Sequence, residues 1–192
     1  MQQHVIGLTG GIATGKTTIA QMIAQDYELT ILDADCYARE AVAVGSPILT
    51  KIIDRYGSDL LVADGSLNRA HLGQIIFAND VERHWLEAQI HPFVRQRFED
   101  DRPSASDPLI YVVPLLFETD AITLVDETWV VWCPPEEQIA RLMKRDRIDE
   151  EAARQRIAAQ WPLQVKCDRA DLVLDNGGDR HHWREQVRNR LG

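Results

Sequence analysis

The sequence predicts an α/β fold with three layers, in which a parallel sheet of five strands is covered by helices. Two patterns indicate this fold. Short apolar runs alternate along the chain with stretches whose apolar residues recur at helical spacing. A glycine-rich segment also separates the first apolar run from the first helical stretch, so the chain opens with a strand–loop–helix unit. With 192 residues, the chain is long enough for one domain, residues 1–192, with a sizeable core.

The glycine-rich segment is Gly10-Gly11-Ile12-Ala13-Thr14-Gly15-Lys16-Thr17, which fits the pattern G-x-x-x-x-G-K-[ST] at every fixed position. Residues 4–9 predict the strand before it, and residues 18–24 predict the helix after it. Glycines allow the backbone to wrap closely around a triphosphate, so that N–H groups and the helix N-terminus point at it. Lys16 would reach the β- and γ-phosphates, and the Thr17 hydroxyl would ligate Mg²⁺. The residues of this segment that we expect to bind the nucleotide are Gly11, Ile12, Ala13, Thr14, Gly15, Lys16, Thr17 and Thr18.

Four further apolar runs predict the remaining strands, at residues 29–32, 109–113, 128–133 and 171–174. Between the second and third strands lies an insertion, about residues 36–102, whose sequence is almost wholly helical in character. Ser46-Pro47 is typical of a helix start. A later helix, from about Asp80 to Asp100, contains Pro92, which we expect to kink or divide it.

Composition narrows the function classes and the compartment. The formal net charge of −9 disfavours a general role in nucleic-acid binding. No apolar run is long enough to cross a bilayer, and the N-terminus lacks a basic region followed by an apolar segment. Cys36, Cys133 and Cys167 are widely spaced and odd in number, which argues against a disulfide framework or a zinc site. We therefore expect a cytoplasmic protein with neither a membrane nor a nucleic-acid partner.

Carboxylates follow two of the predicted strands, and ligands bind at the carboxyl ends of strands in a parallel sheet. Asp33 and Asp35 come after the second strand. Phosphoryl transfer to a hydroxyl needs an acceptor for the departing proton and an ordered shell around Mg²⁺, and two carboxylates could divide these tasks. Alternatively, one of them only caps the helix that begins near Cys36. Glu118, after the third strand, could bind substrate or a metal-bound water, or be a surface helix residue.

Two basic helices follow the fourth strand, over about residues 136–162. Arg141 and Arg145 lie four residues apart and therefore share one helical face. We expect this segment to form a lid whose arginines stabilise charge on the transferring phosphoryl group. The alternative is a solvated face with ion pairs between residues four apart, which we expect for Arg154 and Arg156.

The turn after the last strand is a candidate for the nucleotide-base pocket. The backbone around Asn176 could edge an adenine ring, or Asn176-Gly177 could form only a turn. No Asn-Lys-x-Asp segment is present to read guanine, so specificity for GTP is disfavoured.

Several ordered segments resemble those of the dephospho-CoA kinase family over nearly the full length of the chain. They are Gly7-Leu8-Thr9-Gly10-Gly11-Ile12, Asp33-Ala34-Asp35, Ala38-Arg39-Glu40, His91-Pro92, Val113-Pro114-Leu115-Leu116-Phe117-Glu118, Arg141 through Asp146, Ile157-Ala158-Ala159-Gln160, Lys166, Ala170-Asp171 and Asn176-Gly177. The resemblance implies a P-loop kinase that transfers the γ-phosphate of ATP to the ribose 3′-hydroxyl of dephospho-CoA with Mg²⁺. It also implies that the helical insertion holds dephospho-CoA, with Arg39 and His91 as candidate contacts. We expect a monomer.

The resemblance also implies individual roles. Lys16 and Thr17 hold phosphate and metal, and Arg141 belongs to the lid. Asp35 is the predicted base and Asp33 supports it, although spacing alone does not decide between them.

Two positions depart from the family pattern. Ala13-Thr14 stands where the family usually has Gly-Ser, and Trp161 stands where a methionine is common. We expect alanine at position 13 to adopt an ordinary backbone conformation, with no loss of ATP binding.

Two other functions remain open from the residues alone. One is another small-metabolite or nucleotide P-loop kinase, which would differ only in its acceptor site. The other is a switch in which ATP binding controls a partner protein.

Overall fold

The computed structural model describes residues 3–104, 107–178 and 181–191. The chain forms two compact units. We call the first, Met1–Asp33 together with Pro103–Gly192, the sheet unit, and the second, Ala34–Arg102, the helical unit.

The sheet unit contains the five parallel strands that the sequence predicts. In chain order they are β1 (Val5–Gly10), β2 (Thr30–Asp33), β3 (Leu109–Val112), β4 (Glu127–Trp132) and β5 (Leu172–Asp175). They lie in the order β2-β3-β1-β4-β5, so β1 is central. Every residue of β1 is buried, as expected for a central strand that is covered on both faces.

The sheet unit also contains helices, some of which pack against these strands. They are α1 (Lys16–Tyr27), α6 (Pro135–Asp146), α7 (Glu150–Ala158), α8 (Leu163–Cys167) and α9 (His181–Leu191), together with a short 3-10 turn at Asp120–Leu124. Ile19 and Ile23 of α1 join Trp129 of β4 and Trp183 of α9 in one buried core. This packing fixes α1 against the sheet and so holds its first turn directly after β1.

The helical unit is built from α2 (Ala34–Ala41), α3 (Pro47–Tyr56), α4 (Arg69–Ala78) and α5 (Asp80–Asp100), with a 3-10 turn at Ser58–Leu60. It has a core of its own, which includes Leu49, Ile52 and Leu86. Ser46 caps α3, because its hydroxyl accepts a hydrogen bond of 3.0 Å from the Leu49 N–H.

α5 is one continuous helix, so the division predicted at Pro92 is not found. Leu86 lies before the proline and Phe98 after it, and both side chains are buried. Phe98 also makes an edge-to-face contact with Tyr37 of α2, with ring centroids 5.3 Å apart. Packing on both sides therefore outweighs the hydrogen bond that proline removes.

Among the described residues, no helix is long and apolar enough to cross a membrane.

Candidate active site

The glycine-rich loop joins the end of β1 at Gly10 to the start of α1 at Lys16, as the sequence predicts. Gly10 and Gly15 have φ angles of 149° and 101°, which favour glycine. A Cβ at Gly10 would lie 2.5 Å from the Val131 carbonyl oxygen, and one at Gly15 would lie 2.2 Å from Asn176 Nδ2. Both glycines are therefore required by conformation and by space.

Ala13 lies at the crest of the loop, and the prediction of an ordinary backbone conformation there is wrong. Its φ angle is 61°, in the left-handed region. An L-residue in this region costs roughly 1–2 kcal/mol relative to the right-handed region. Such strain persists only where neighbouring contacts fix the backbone, and both neighbours of Ala13 are held in this way.

The first neighbour, Ile12, is held by two glutamines. Its N–H donates to Gln160 Oε1 at 2.8 Å, and its carbonyl oxygen accepts from Gln138 Nε2 at 2.8 Å. Gln138 lies on α6 and is buried, whereas Gln160 lies between α7 and α8. Two separate elements therefore hold the backbone of one loop residue.

The second neighbour, Thr14, is fully buried. Its hydroxyl donates to the Gly11 carbonyl at 2.9 Å. Its own carbonyl oxygen accepts from Asn176 Nδ2 at 2.8 Å and from Arg141 Nη1 at 3.4 Å. Arg141 also donates through Nη2 to the Asn176 carbonyl oxygen at 2.8 Å. The structure thus brings two predicted nucleotide-binding side chains, Arg141 and Asn176, onto the loop.

Lys16 and the threonines after it occupy the first turn of α1. Lys16 Nζ donates to the carbonyl oxygens of Gly10 at 3.0 Å and Gly11 at 2.8 Å, so the ammonium group lies over the loop. Thr17 and Thr18 are exposed, and no side chain caps the helix at Gly15. Backbone N–H groups, an ammonium group and hydroxyls therefore meet at a helix N-terminus, which is an arrangement suited to phosphate.

Arg145 forms an ion pair with Asp146. Its Nε donates to Asp146 Oδ1 at 2.7 Å. Hydrogen bonds from Arg145 hold the pKa of Asp146 below its usual range. Arg156 pairs with the same carboxylate, and Arg154 pairs with Glu150 at 2.6 Å. Ion pairs thus account for Arg154 and Arg156, and the nucleotide-binding role of Arg145 stays a prediction.

The two aspartates lie in different units. Asp33 ends β2 and pairs in register with Val112, which in turn pairs with Leu8 of β1. Asp33 is therefore two strand spacings, roughly 9.6 Å, from the central strand. It lies at the carboxyl end of the sheet, where the phosphate loop begins. Asp35 lies in the first turn of α2 and is exposed. Which of them is the base stays a prediction.

The candidate acceptor contacts are both exposed residues of the helical unit. Arg39 lies on α2 and His91 on α5. Their roles stay predictions.

A buried ion pair at the sheet edge was missed by the sequence reasoning. Lys166 of α8 has a fully buried side chain, and its Nζ lies 2.7 Å from Glu118 Oε1. The same nitrogen donates to the Pro114 carbonyl oxygen at 3.3 Å, and that oxygen also accepts from Thr9 Oγ1 at 3.1 Å. Glu118 is thus not a surface helix residue. Both residues belong to the family pattern, but their distance in sequence gave no signal that they form a pair.

Comparison with known proteins decides the family. The family model described as dephospho-CoA kinase matches residues 4–181. The chain belongs to the dephospho-CoA kinase family.

Related proteins agree with this family. A dephospho-CoA kinase from Synechococcus elongatus is 55% identical over 184 residues, which cover 95% of this chain and 88% of the relative. A solved structure from Thermus thermophilus matches with a TM-score of 0.85 and 29% identity, covering 100% of this chain and 97% of the other. A dephospho-CoA kinase from Campylobacter jejuni matches with a TM-score of 0.68 and 25% identity, covering 99% and 96%.

Membership in the dephospho-CoA kinase family confirms the predicted family and the P-loop kinase fold with its five-stranded parallel sheet. It also confirms that the chain is a kinase, which uses ATP and acts on an alcohol group of dephospho-CoA. The comparisons favour this activity over both alternatives that the residues left open.

Proposed function

We propose that this chain transfers the γ-phosphoryl group of ATP to the ribose 3′-hydroxyl of dephospho-CoA, giving coenzyme A and ADP. The observation that carries the proposal is the phosphate loop, whose backbone is held from both sides of Ala13 while Lys16 lies over it. Because such a loop is already ordered, it can position a triphosphate as soon as it binds. Positioning is a main requirement of phosphoryl transfer.

Positive charge reaches the loop through two side chains. Lys16 has three donors, and a phosphate oxygen is a stronger acceptor than the carbonyls that it contacts. We assign it to the β- and γ-phosphates. Arg141 is already oriented by the Thr14 and Asn176 carbonyls and by Glu137, to which its Nη2 donates at 2.6 Å. We assign Arg141 to the charge that develops on the transferring group.

The loop also suits Mg²⁺, which prefers oxygen ligands. The exposed Thr17 hydroxyl would hold the ion together with the ATP phosphates, and Asp33 at the same sheet edge would order its water shell. Bound there, the ion neutralises charge on the β- and γ-phosphate oxygens.

We assign the general base to Asp35. During transfer the ribose 3′-hydroxyl loses its proton, and a carboxylate is the group best suited to accept it. Asp35 is exposed on the first turn of α2, whereas Asp33 is half-buried at the end of β2. An exposed carboxylate is the more accessible to an acceptor hydroxyl.

The remaining parts of the proposal concern the acceptor and the setting. We assign dephospho-CoA to the helical unit, with contacts from Arg39 and His91, and a lid function to residues 136–162. Within the part of the chain that the structure describes, no disulfide joins the three cysteines, which supports a reducing compartment such as the cytoplasm. We propose a monomer.

An ADP-release assay tests the proposal. ADP formation from ATP and Mg²⁺ is measured with dephospho-CoA, with adenosine, with AMP and without an acceptor. The mass of the phosphorylated product is determined by mass spectrometry. We expect stimulation by dephospho-CoA alone and a product with the mass of coenzyme A. ATP binding without stimulation by dephospho-CoA would refute the proposed acceptor.

A further inference from the structure

Neither Gln138 nor Gln160 has a role in phosphoryl transfer as described so far, yet both contact the phosphate loop directly. We infer that these two glutamines are positioning residues, which aim the Ala13 N–H of the loop at the nucleotide phosphates. The inference rests on the proposed use of ATP by this loop.

The peptide bond between Ile12 and Ala13 has a fixed geometry. A trans peptide is planar, and its N–H and C=O groups point in opposite directions. The Ile12 carbonyl and the Ala13 N–H belong to one such plane. Because Gln138 Nε2 holds the Ile12 carbonyl at 2.8 Å, the Ala13 N–H must point away from α6. Its direction is thus set by a side chain that need not contact the nucleotide.

Gln160 fixes the peptide plane that precedes this one, between Gly11 and Ile12. The Ile12 N–H belongs to the plane that joins Gly11 to Ile12, and it donates to Gln160 Oε1 at 2.8 Å. With both flanking planes held, the dihedral angles of Ile12 cannot relax. The positive φ of 61° at Ala13 is maintained because the plane before Ala13 is held by Gln138 and the residue after it, Thr14, is held by its own hydrogen bonds.

Close packing shows that the loop is built around Gln138. A Cβ at Gly11 would lie 2.5 Å from Gln138 Nε2, so a glycine is needed for this contact. Gln138 is only 4% exposed, so close packing around its side chain leaves it little freedom to move.

Gln160 is supported differently, by the buried ion pair. The N–H of the next residue, Trp161, donates to Glu118 Oε1 at 3.3 Å. The same carboxylate oxygen lies 2.7 Å from the fully buried Lys166 Nζ. Glu118 and Lys166 therefore tie the backbone beside Gln160 to the carboxyl end of β3. This gives the pair a function besides stability, since it places the acceptor atom of Gln160.

The test removes each amide and keeps its shape. ATP affinity is measured by isothermal titration calorimetry with Mg²⁺ for Gln138→Met, Gln160→Met and the double variant. The matched control is Gln164→Met, whose exposed amide donates to Asp168 at 2.8 Å. We expect each single variant to bind ATP about tenfold more weakly, the cost of ordering the backbone of about one loop residue when ATP binds. We expect the control to change by less than twofold.

Two further readouts separate positioning from general damage. The KM of Gln160→Met for dephospho-CoA should match that of the wild type, whereas its KM for ATP rises. The double variant should lose much less than the product of the two single losses, because both amides fix the same residue. Gln160→Met decides alone if Gln138→Met does not fold.

The ion pair is tested as a pair, because removing one partner leaves a buried charge. Glu118→Gln combined with Lys166→Met should weaken ATP binding in the wild type but add little in the Gln160→Met background.

The inference is overturned if Gln160→Met binds ATP as the wild type does, or if Gln164→Met loses as much affinity. Calorimetry needs no acceptor. Wild-type protein that binds ATP but does not phosphorylate dephospho-CoA would therefore refute the proposed function and leave this test intact.

Discussion

Replacing Ala13 with glycine should stabilise the protein, although glycine usually destabilises. The φ angle of 61° at Ala13 costs an L-residue roughly 1–2 kcal/mol, and glycine removes that cost. Glycine also raises the conformational entropy of the unfolded chain, which lowers the free energy of unfolding by about 0.4–1 kcal/mol. The net gain is about 0.5–1 kcal/mol, the difference between these two ranges taken near their centres.

A gain of this size is measurable by thermal unfolding. For a chain of this length it raises the melting temperature by about 1–4 °C. The matched control is Ala140→Gly, at an exposed position inside α6, where glycine should lower stability by about 0.5–1 kcal/mol. The two substitutions therefore make the same chemical change with opposite expected signs. If Ala13→Gly lowers the melting temperature as Ala140→Gly does, the argument from backbone strain is wrong.

Three further predictions concern the reaction and the stability of the sheet unit. Lys16→Ala should nearly abolish turnover in the ADP-release assay, because it removes the ammonium group over the loop. Asp35→Asn should lower kcat by roughly 10²–10⁴-fold while calorimetry still detects ATP binding, since only the base is lost. Asp33→Asn should affect kcat less. Burial tends to raise the pKa of Glu127, but hydrogen bonds from Arg190, Trp129 and His4 outweigh this and lower it. The ionised carboxylate therefore stabilises the fold above the ordinary glutamate pKa. That contribution should be lost as the pH falls through the lowered folded pKa, so Glu127→Gln should flatten the acid limb of a stability–pH curve.

Each of these predictions has a control and a contrary outcome. Lys51→Ala, at an exposed lysine of α3, should keep full turnover. A normal kcat for Asp35→Asn together with a large loss for Asp33→Asn would exchange the roles of the two aspartates. An unchanged acid limb for Glu127→Gln would show that other carboxylates govern acid unfolding, and Glu185→Gln on the exposed part of α9 provides the comparison.

Local sequence was sufficient to predict a structural element wherever the physical cause of that element is itself local. The phosphate loop follows from glycines at fixed spacing between an apolar strand and a helix, and the structure confirms that unit. The start of α3 follows from a serine cap and a proline at the first helical position, and both are found. All five strands were predicted from apolar runs, with bounds that differ from the observed ones by one residue or so.

Local patterns were insufficient to predict a structural feature where that feature depends on packing against residues that are distant in sequence. Pro92 alone favours a break in α5, but packing of Leu86 and Phe98 keeps the helix continuous.

The sequence by itself determined the fold class, the family and the site of triphosphate binding, because these are encoded in short segments with strong local preferences. Only the tertiary structure decided the left-handed Ala13, the grip of Gln138 and Gln160 on Ile12, and the buried pair of Lys166 with Glu118. Each of these joins segments that the strand order brings together. Their energies come from burial and hydrogen bonding between distant residues, which no local pattern records.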